Sequence, residues 1–356
     1  LEGFSWGRGG VYDFDPARGL ALEDAARVPA GTGAVTTAHP RPRLAVSSCL
    51  LGAPVRYNGG HSRDRFLTDL LAPHVDWVPV CPEMEIGLGT PRPTLRLHTG
   101  GRIVTKDGSA DHTEAMTALA ADRLPDLTGL DGYVLKSRSP SCGLMGLPRY
   151  ASGRPGERTD GQPVDRRGRG VFADLVTRAL PDLPAEEDGR LHDPVLRENF
   201  IERVFAHARL RTFFAADWRP SELVAFHSRH KQQLLAHDPS AYQVLGRIVA
   251  EAGTRPRDLL ETDYRRHFDE AFATRPKRGR HVNALQHILG MLGEHLNDSR
   301  RHDILDAIET YRQGRAPLSI PITLLRHHAE GENLDYLAQQ TYLDPYPADL
   351  VLRHHV

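Results

Sequence analysis

Three cysteines, Cys49, Cys81 and Cys142, are the whole thiol complement of this chain, and each follows a short apolar run. Residues 44–48 lead into Cys49 and residues 77–80 into Cys81. Residues 133–135 lead through Lys136-Ser-Arg-Ser-Pro-Ser to Cys142. Short β-rich apolar runs bounded by Gly, Pro and Ser predict buried strands of an α/β sheet. Ligands of such sheets bind beyond the carboxyl ends of the strands. Cysteines at three such ends would converge on one crevice.

Three chemistries compete for them. Free cysteine is among the most buried residue types, so plain packing is the first. Zinc is the second, with His61 or Glu83 as fourth ligand, although the close C-x-x-C pairs usual for zinc are absent. An iron-sulfur cluster is the third: soft thiolates suit it, and three ligands on a 4Fe-4S cube leave one iron open as a Lewis acid. Ser48, Pro82, Ser141 and Gly143 flank the cysteines, and such residues let backbone approach a guest and leave amides free for sulfur. Spacing alone does not choose between cluster and zinc. Glu83, two residues past Cys81, is the candidate base for activating water; its alternative is a helix-start carboxylate bound to local amides. Ser48, Ser139 and Ser141 would orient that base or donate hydrogen bonds to sulfur. Lys136 and Arg138 would neutralise cluster or phosphate charge, or form a solvated strand end.

The elements that must position these groups follow from periodicity. After the glycine-punctuated loop over Gly52, Gly59 and Gly60, Phe66, Leu67, Leu70 and Leu71 recur at helical spacing up to Pro73. Leu95 and Leu97 face Ile103 and Val104 across Gly100-Gly101 as a hairpin. A helix is expected over 113–124 with Pro125 after it, and another over 172–180. Residues 149–169, rich in Gly, Arg and Pro, are expected to be a mobile loop, and 185–190 an acidic turn. Beyond Pro194 the pattern turns helical: 195–215, 221–237, 240–252, 256–273, 280–297 and 301–313, with Pro220, Pro239, Pro256 and Pro317 near the ends. The expectation is a Rossmann-like α/β domain over 39–192 followed by an all-α domain over 193–356. Residues 1–38, which begin with Leu and lack periodicity, are expected to be a tail or upstream translation.

At 356 residues, with 40% hydrophobic and 26% charged residues, the composition is that of an ordinary globular protein of about two domains. No run of about 18 apolar residues offers a membrane span, and no signal-peptide order opens the chain. An odd, small cysteine count argues against a disulfide framework and for a reducing cytoplasm. A net charge of -1 gives no general affinity for nucleic acid, so any such surface must be local. The densest basic segment is Arg275-Pro-Lys-Arg-Gly-Arg-His281. Arg275, Lys277, Arg278 and Arg280 there would suit phosphate contacts, although residues 200–356 balance 21 Lys plus Arg against 20 Asp plus Glu. His227 and His230 share a helix face but lack a completing ligand set; His281, His287 and His295 are expected to pack or face solvent.

Ser47-Ser-Cys-Leu-Leu-Gly with Val55-Arg-Tyr-Asn-Gly, Val80-Cys-Pro-Glu-Met with Pro91-Arg, and Leu135-Lys-Ser-Arg-Ser-Pro-Ser-Cys-Gly resemble the signature blocks of the TudS family of thiouracil desulfidases. The resemblance covers roughly residues 42–190. The remainder resembles the YbgA-type domain, and the pairing resembles RudS-type tRNA 4-thiouridine desulfidases. It implies a 4Fe-4S cluster on Cys49, Cys81 and Cys142, a tRNA substrate held with help from the helical domain, and conversion of 4-thiouridine to uridine. A free thiopyrimidine is the alternative substrate. A cluster- or zinc-bearing binding or redox-sensing protein is the non-catalytic alternative, and would not require Glu83 and its serines.

Overall fold

Leu44, Ala45 and Val46 are buried on both sides, the pattern of a central strand covered on each face. In this computed structural model, residues 39–151 and 161–355 are described. The expected tail, 1–38, and the centre of the expected 149–169 loop, 152–160, lie outside them. The α/β part runs β1 (Arg43–Ser47), β2 (Asp76–Val80), α1 (Pro82–Glu85), β3 (Leu95–His98), β4 (Ile103–Thr105), α2 (Thr113–Leu127), β5 (Gly132–Leu135), β6 (Leu147–Tyr150), β7 (Asp165–Gly168), α3 (Val171–Ala179) and β8 (Ala185–Glu187). The main sheet is parallel, in the order β2-β1-β5-β8. Arg43 lies opposite Asp76, and Leu44 opposite Gly132. The chain thus leaves β1 to one side for β2 and reaches β5 on the other. That reversal of strand order is where open α/β sheets form their binding crevice.

Two differences from the expectation matter for the site. The acidic stretch at 185–190 opens with β8, the fourth strand of the main sheet. Its apolar signal is weak because Glu187 is buried and used as a hydrogen-bond acceptor. The ends of the supposed loop are β6 and β7, antiparallel to each other, in a second sheet ordered β4-β3-β6-β7. The hairpin β3–β4 forms as expected. Smaller shifts are that Pro125 lies inside the last turn of α2, and that the helix after Gly60 is a wide turn over Phe66–Leu71 continuing into a 3-10 turn that contains Pro73.

The helical part comprises α4 (Pro194–Ala215), α5 (Pro220–His237), α6 (Pro239–Ala250), α7 (Arg257–Ala273), α8 (Arg278–Leu292), α9 (Asp298–Arg312), α10 (Ser319–Gly331) and α11 (Asp335–Ala338). Asp193 and Asp238 cap α4 and α6, each accepting two backbone N–H bonds ahead of a proline in the first turn. The helices α10 and α11 were not anticipated; Pro321 sits in the first turn of α10, where proline is tolerated.

One face of the sheet, with Ala45, Val80, Tyr133 and Leu135, packs on Met116 and Ala120 of α2 and Phe172 and Val176 of α3. The other, with Leu44, Val46 and Val134, packs on Phe200, Ile201, Val204 and Phe205 of α4. The first helix of the helical part is therefore the second cover of the sheet. Gly132 allows this approach, because a Cβ there would stand 2.8 Å from both Leu44 Cδ2 and Val204 Cγ2. Among the described residues no helix is long and apolar enough to cross a membrane.

His227, His230 and His281 lie inside the helical core. His227 Nδ1 meets the Tyr264 hydroxyl at 3.2 Å and His281 Nδ1 meets that of Tyr342 at 3.0 Å. Burial pushes His227 down to about 4 and His281 to about 3, from 6.5. The folded chain then binds fewer protons than the unfolded one. The stability tied to these groups is complete above pH 6.5 and lost as pH falls towards 4. Thermal melts should show the midpoint falling across that window; a flat midpoint would contradict the neutral packing role.

Candidate active site

Neighbouring strands lie about 4.8 Å apart, so the ends of three adjacent strands fall within roughly 10 Å. β2, β1 and β5 are adjacent, and their ends deliver Cys81, Cys49 and Cys142. A 3-10 turn over Ser48–Leu51 carries Cys49. Cys81 precedes α1 directly, where Pro82 fixes the first turn. Cys142 follows a loop shaped by Ser139, whose Oγ accepts the Ser141 and Cys142 amides at 3.2 Å each. All three thiols are free, and they line one cavity of about 860 Å³ together with Ser48, Ser139 and Glu83.

Glu83 is held from both sides. Its Oε2 accepts from Arg92 Nε at 2.9 Å and from Arg92 Nη2. Its Oε1 accepts from Ser141 Oγ at 2.8 Å and from Ser139 Oγ at 3.5 Å. The Arg92 side chain is only 4% exposed, and a further bond to the Gly89 carbonyl at 2.7 Å fixes it. The two guanidinium donors on Oε2 balance the charge of the carboxylate, and with Ser141 on Oε1 they hold both of its oxygens. Ser139 and Ser141 thus both donate to Glu83, while Ser48 lines the cavity outside that contact. The helix-start alternative finds a different residue: Glu85 Oε1 accepts the Cys81 amide at 2.9 Å.

Arg92, Glu187 and Asp188 escaped the sequence reading as site residues. Glu187 Oε1 accepts the Leu144 amide at 2.6 Å and the Met145 amide at 3.3 Å, fixing the loop after Cys142. Asp188 accepts from Lys136 Nζ and from the Ser137 amide, both at 2.6 Å. Burial alone would raise the Asp188 carboxyl, but these donors hold it below its usual value. Lys136 is thus tied to a carboxylate, whereas Arg138 is exposed. The signal available was Pro91-Arg92 and the Glu-Glu-Asp run, charged residues beside apolar strands.

Burial pushes the Cys49 thiol up to about 11 and Cys81 to about 12, and raises Cys142 well above the ordinary thiol value. The charges of Glu83 and the neighbouring thiols also raise Cys142. Such a set, once deprotonated, asks for a strongly cationic guest. Among the described residues no three His, Cys, Asp or Glu side chains close on one point as the ligands of a single ion. Thiols brought to one cavity from three strand ends fit a multi-iron group that takes one thiolate to each iron. His61, the alternative zinc ligand, is exposed and its Nδ1 accepts the Arg63 amide at 3.2 Å.

Gly170 is the support beneath this wall. A Cβ there would meet the Ser141 carbonyl carbon at 2.5 Å and the Cys142 amide nitrogen at 2.7 Å. Backbone cannot yield cheaply at such separations. Gly170→Ala should displace Ser141 and Cys142 together, lowering bound iron in chemical analysis while far-ultraviolet circular dichroism stays native. Unchanged iron would show that the Cys142 loop tolerates the shift.

The expected phosphate-binding residues stand elsewhere in the chain. Arg278 Nη1 donates to the Tyr311 carbonyl at 2.9 Å, and Arg280 Nη1 to the His237 carbonyl. Arg275 and Lys277 are exposed.

Comparison with known proteins accords with this layout. The 2-thiouracil desulfurase family model matches residues 44–188, and that of a protein of unknown function, DUF1722, matches residues 231–347. Escherichia coli K12 YbgA, an uncharacterized protein, is 28% identical over 158 residues, 44% of this chain and 94% of YbgA. Uncharacterized YbbK of Bacillus subtilis 168 is 34% identical over 111 residues, 28% of this chain and 72% of YbbK. Among solved structures, the [4Fe-4S]-dependent thiouracil desulfidase TudS is 32% identical, aligning 43% of this chain and 95% of that one with a TM-score of 0.34. The chain belongs to the 2-thiouracil desulfurase family, with a YbgA-type DUF1722 domain behind the desulfurase domain.

Proposed function

We propose that this protein is an iron-sulfur-dependent desulfidase that converts 4-thiouridine in tRNA to uridine and releases hydrogen sulfide. One juxtaposition carries the reading: thiols from three adjacent strand ends and a doubly held carboxylate line a single cavity. Cys49, Cys81 and Cys142 are the residues that would hold a 4Fe-4S cluster. When bound, the cluster supplies an open iron, a Lewis acid with affinity for sulfur.

The reaction replaces the thiocarbonyl sulfur with the oxygen of water. A carbon–oxygen bond forms, the carbon–sulfur bond breaks, both water protons leave with sulfur, and no electrons are exchanged. Glu83 takes the proton from water as it attacks the ring carbon and returns it towards the departing sulfur. Arg92 and Ser141 keep its carboxylate oriented through that transfer. Asp188 holds Lys136 at the end of β5 as a fixed positive charge beside the thiols. Residues 39–192 are the unit of chemistry in this reading, and residues 193–356, through Arg275, Lys277, Arg278 and Arg280, help hold tRNA in a reducing cytoplasm.

The test is anaerobic turnover of tRNA carrying 4-thiouridine, of free 4-thiouridine and of thiouracil, followed by hydrogen sulfide release. A kcat/KM for tRNA at least about tenfold above that for either small molecule is expected. Turnover of the small molecules alone would make a free thiopyrimidine the substrate.

A further inference from the structure

Charges around the cavity fall into two groups. Arg92 is matched by Glu83 and Lys136 by Asp188, while the remaining wall acid, Glu187, is engaged by the Leu144 and Met145 amides. Arg56, Arg138 and Arg166 also line the cavity, and among the described residues none of the three side chains has an ion-pair partner. Arg138 and Arg166 are exposed. Tyr57, another lining residue, is 43% exposed, with the Arg56 guanidinium 5.8 Å from its ring centre.

The backbone keeps Arg138 in this position. It has φ of 62°, a left-handed conformation that costs a non-glycine residue energy. The turn is pinned on both sides, by the Ser137 amide on Asp188 and by Ser139 Oγ beneath the Ser141 and Cys142 amides. The residue between these anchors is an arginine facing solvent.

We propose that Arg56, Arg138 and Arg166 form a phosphate-reading rim. A single-stranded RNA segment crosses the mouth of the cavity, its backbone phosphates on the three guanidiniums and a base beside the reacting one stacked on Tyr57. The proposal rests on the polynucleotide reading above and adds where the strand is gripped. Guanidinium suits phosphate through its paired donors, and aromatic faces stack bases with little sequence preference. A free thiopyrimidine carries no phosphate and needs no such rim. In the helical segment Arg278 and Arg280 each give one donor to a main-chain carbonyl, and the rim adds phosphate contacts to those of residues 275–280.

The test compares wild-type protein with a triple variant, Arg56→Gln, Arg138→Gln and Arg166→Gln, and with the corresponding triple Lys variant. Binding of a fluorescent, unmodified single-stranded RNA is measured across a salt series, and turnover is measured on a 4-thiouridine oligonucleotide and on free 4-thiouridine. Loss of three contacts should flatten the slope of log affinity against log salt by about 2. The ratio of kcat/KM for oligonucleotide to that for nucleoside should fall tenfold or more. The Lys variant should recover the salt slope, and iron content should stay at the wild-type value in both.

RNA binding with the same slope in the Gln variant would overturn the rim and leave the polynucleotide substrate standing. Loss of iron from the Gln variant would also overturn it, assigning the arginines to the charge of the thiol site. Wild-type protein that neither binds RNA nor turns over the oligonucleotide would remove the substrate reading and the rim together.

Discussion

Glu83→Gln is expected to retain wild-type iron and sulfide content while slowing desulfidation by roughly 10²- to 10⁴-fold, the usual worth of a positioned base. The substitution preserves size, so the cavity wall should keep its shape. The Gln carbonyl can still accept from Ser141, but its amide nitrogen then faces Arg92 with donor against donor. A nearly buried guanidinium would be left unmatched, a local cost on the order of 1–3 kcal/mol. Neither change touches Cys49, Cys81 or Cys142. Anaerobic iron analysis and hydrogen sulfide release on one preparation separate the two effects. A fully active variant would transfer the proton chemistry to another group, such as a serine-bound water; an iron-free variant would make Glu83 part of assembly.

A larger effect is expected at the thiols. Replacing any one of Cys49, Cys81 or Cys142 with alanine should abolish bound cluster and turnover together. The three stand on separate strand ends, so no one of them can be replaced by a neighbour on its own element. Simple packing predicts otherwise: each substitution would cost only the transfer and cavity terms of a small buried side chain, and activity would track stability. Thermal melting of the metal-free variants beside that of metal-free wild type checks this. Folded protein without iron supports ligation, whereas a loss of activity explained by unfolding alone does not.

Much of this site was legible in the chain because parallel strands advertise themselves. The apolar runs before Cys49 and Cys81 end where β1 and β2 end, and Ser139 and Ser141 could be paired with Glu83 through their shared association with the cysteines. Arg92 was harder to see. It lies nine residues beyond Glu83 across a loop, and only tertiary closure brings its guanidinium to the carboxylate. Glu187 and Asp188 were hidden for the opposite reason. They sit on and just after a short edge strand whose polar side chains serve backbone amides and Lys136, so periodicity reported a turn. The helical half showed its periodicity but not its packing: nothing local in Phe200, Ile201 or Val204 distinguishes a helix that covers the sheet from one that packs only on other helices. What the sequence could not show at Arg278 and Arg280 is that one donor of each meets a main-chain carbonyl.

The most direct measurement is iron and acid-labile sulfide per chain in anaerobically prepared wild-type protein and its three single Cys→Ala variants, with desulfidation assayed on the same samples. About four iron and four sulfide atoms are expected in the active wild type, with cluster and activity absent from each folded variant. A variant that keeps both the cluster and desulfidation would contradict a site built on Cys49, Cys81 and Cys142.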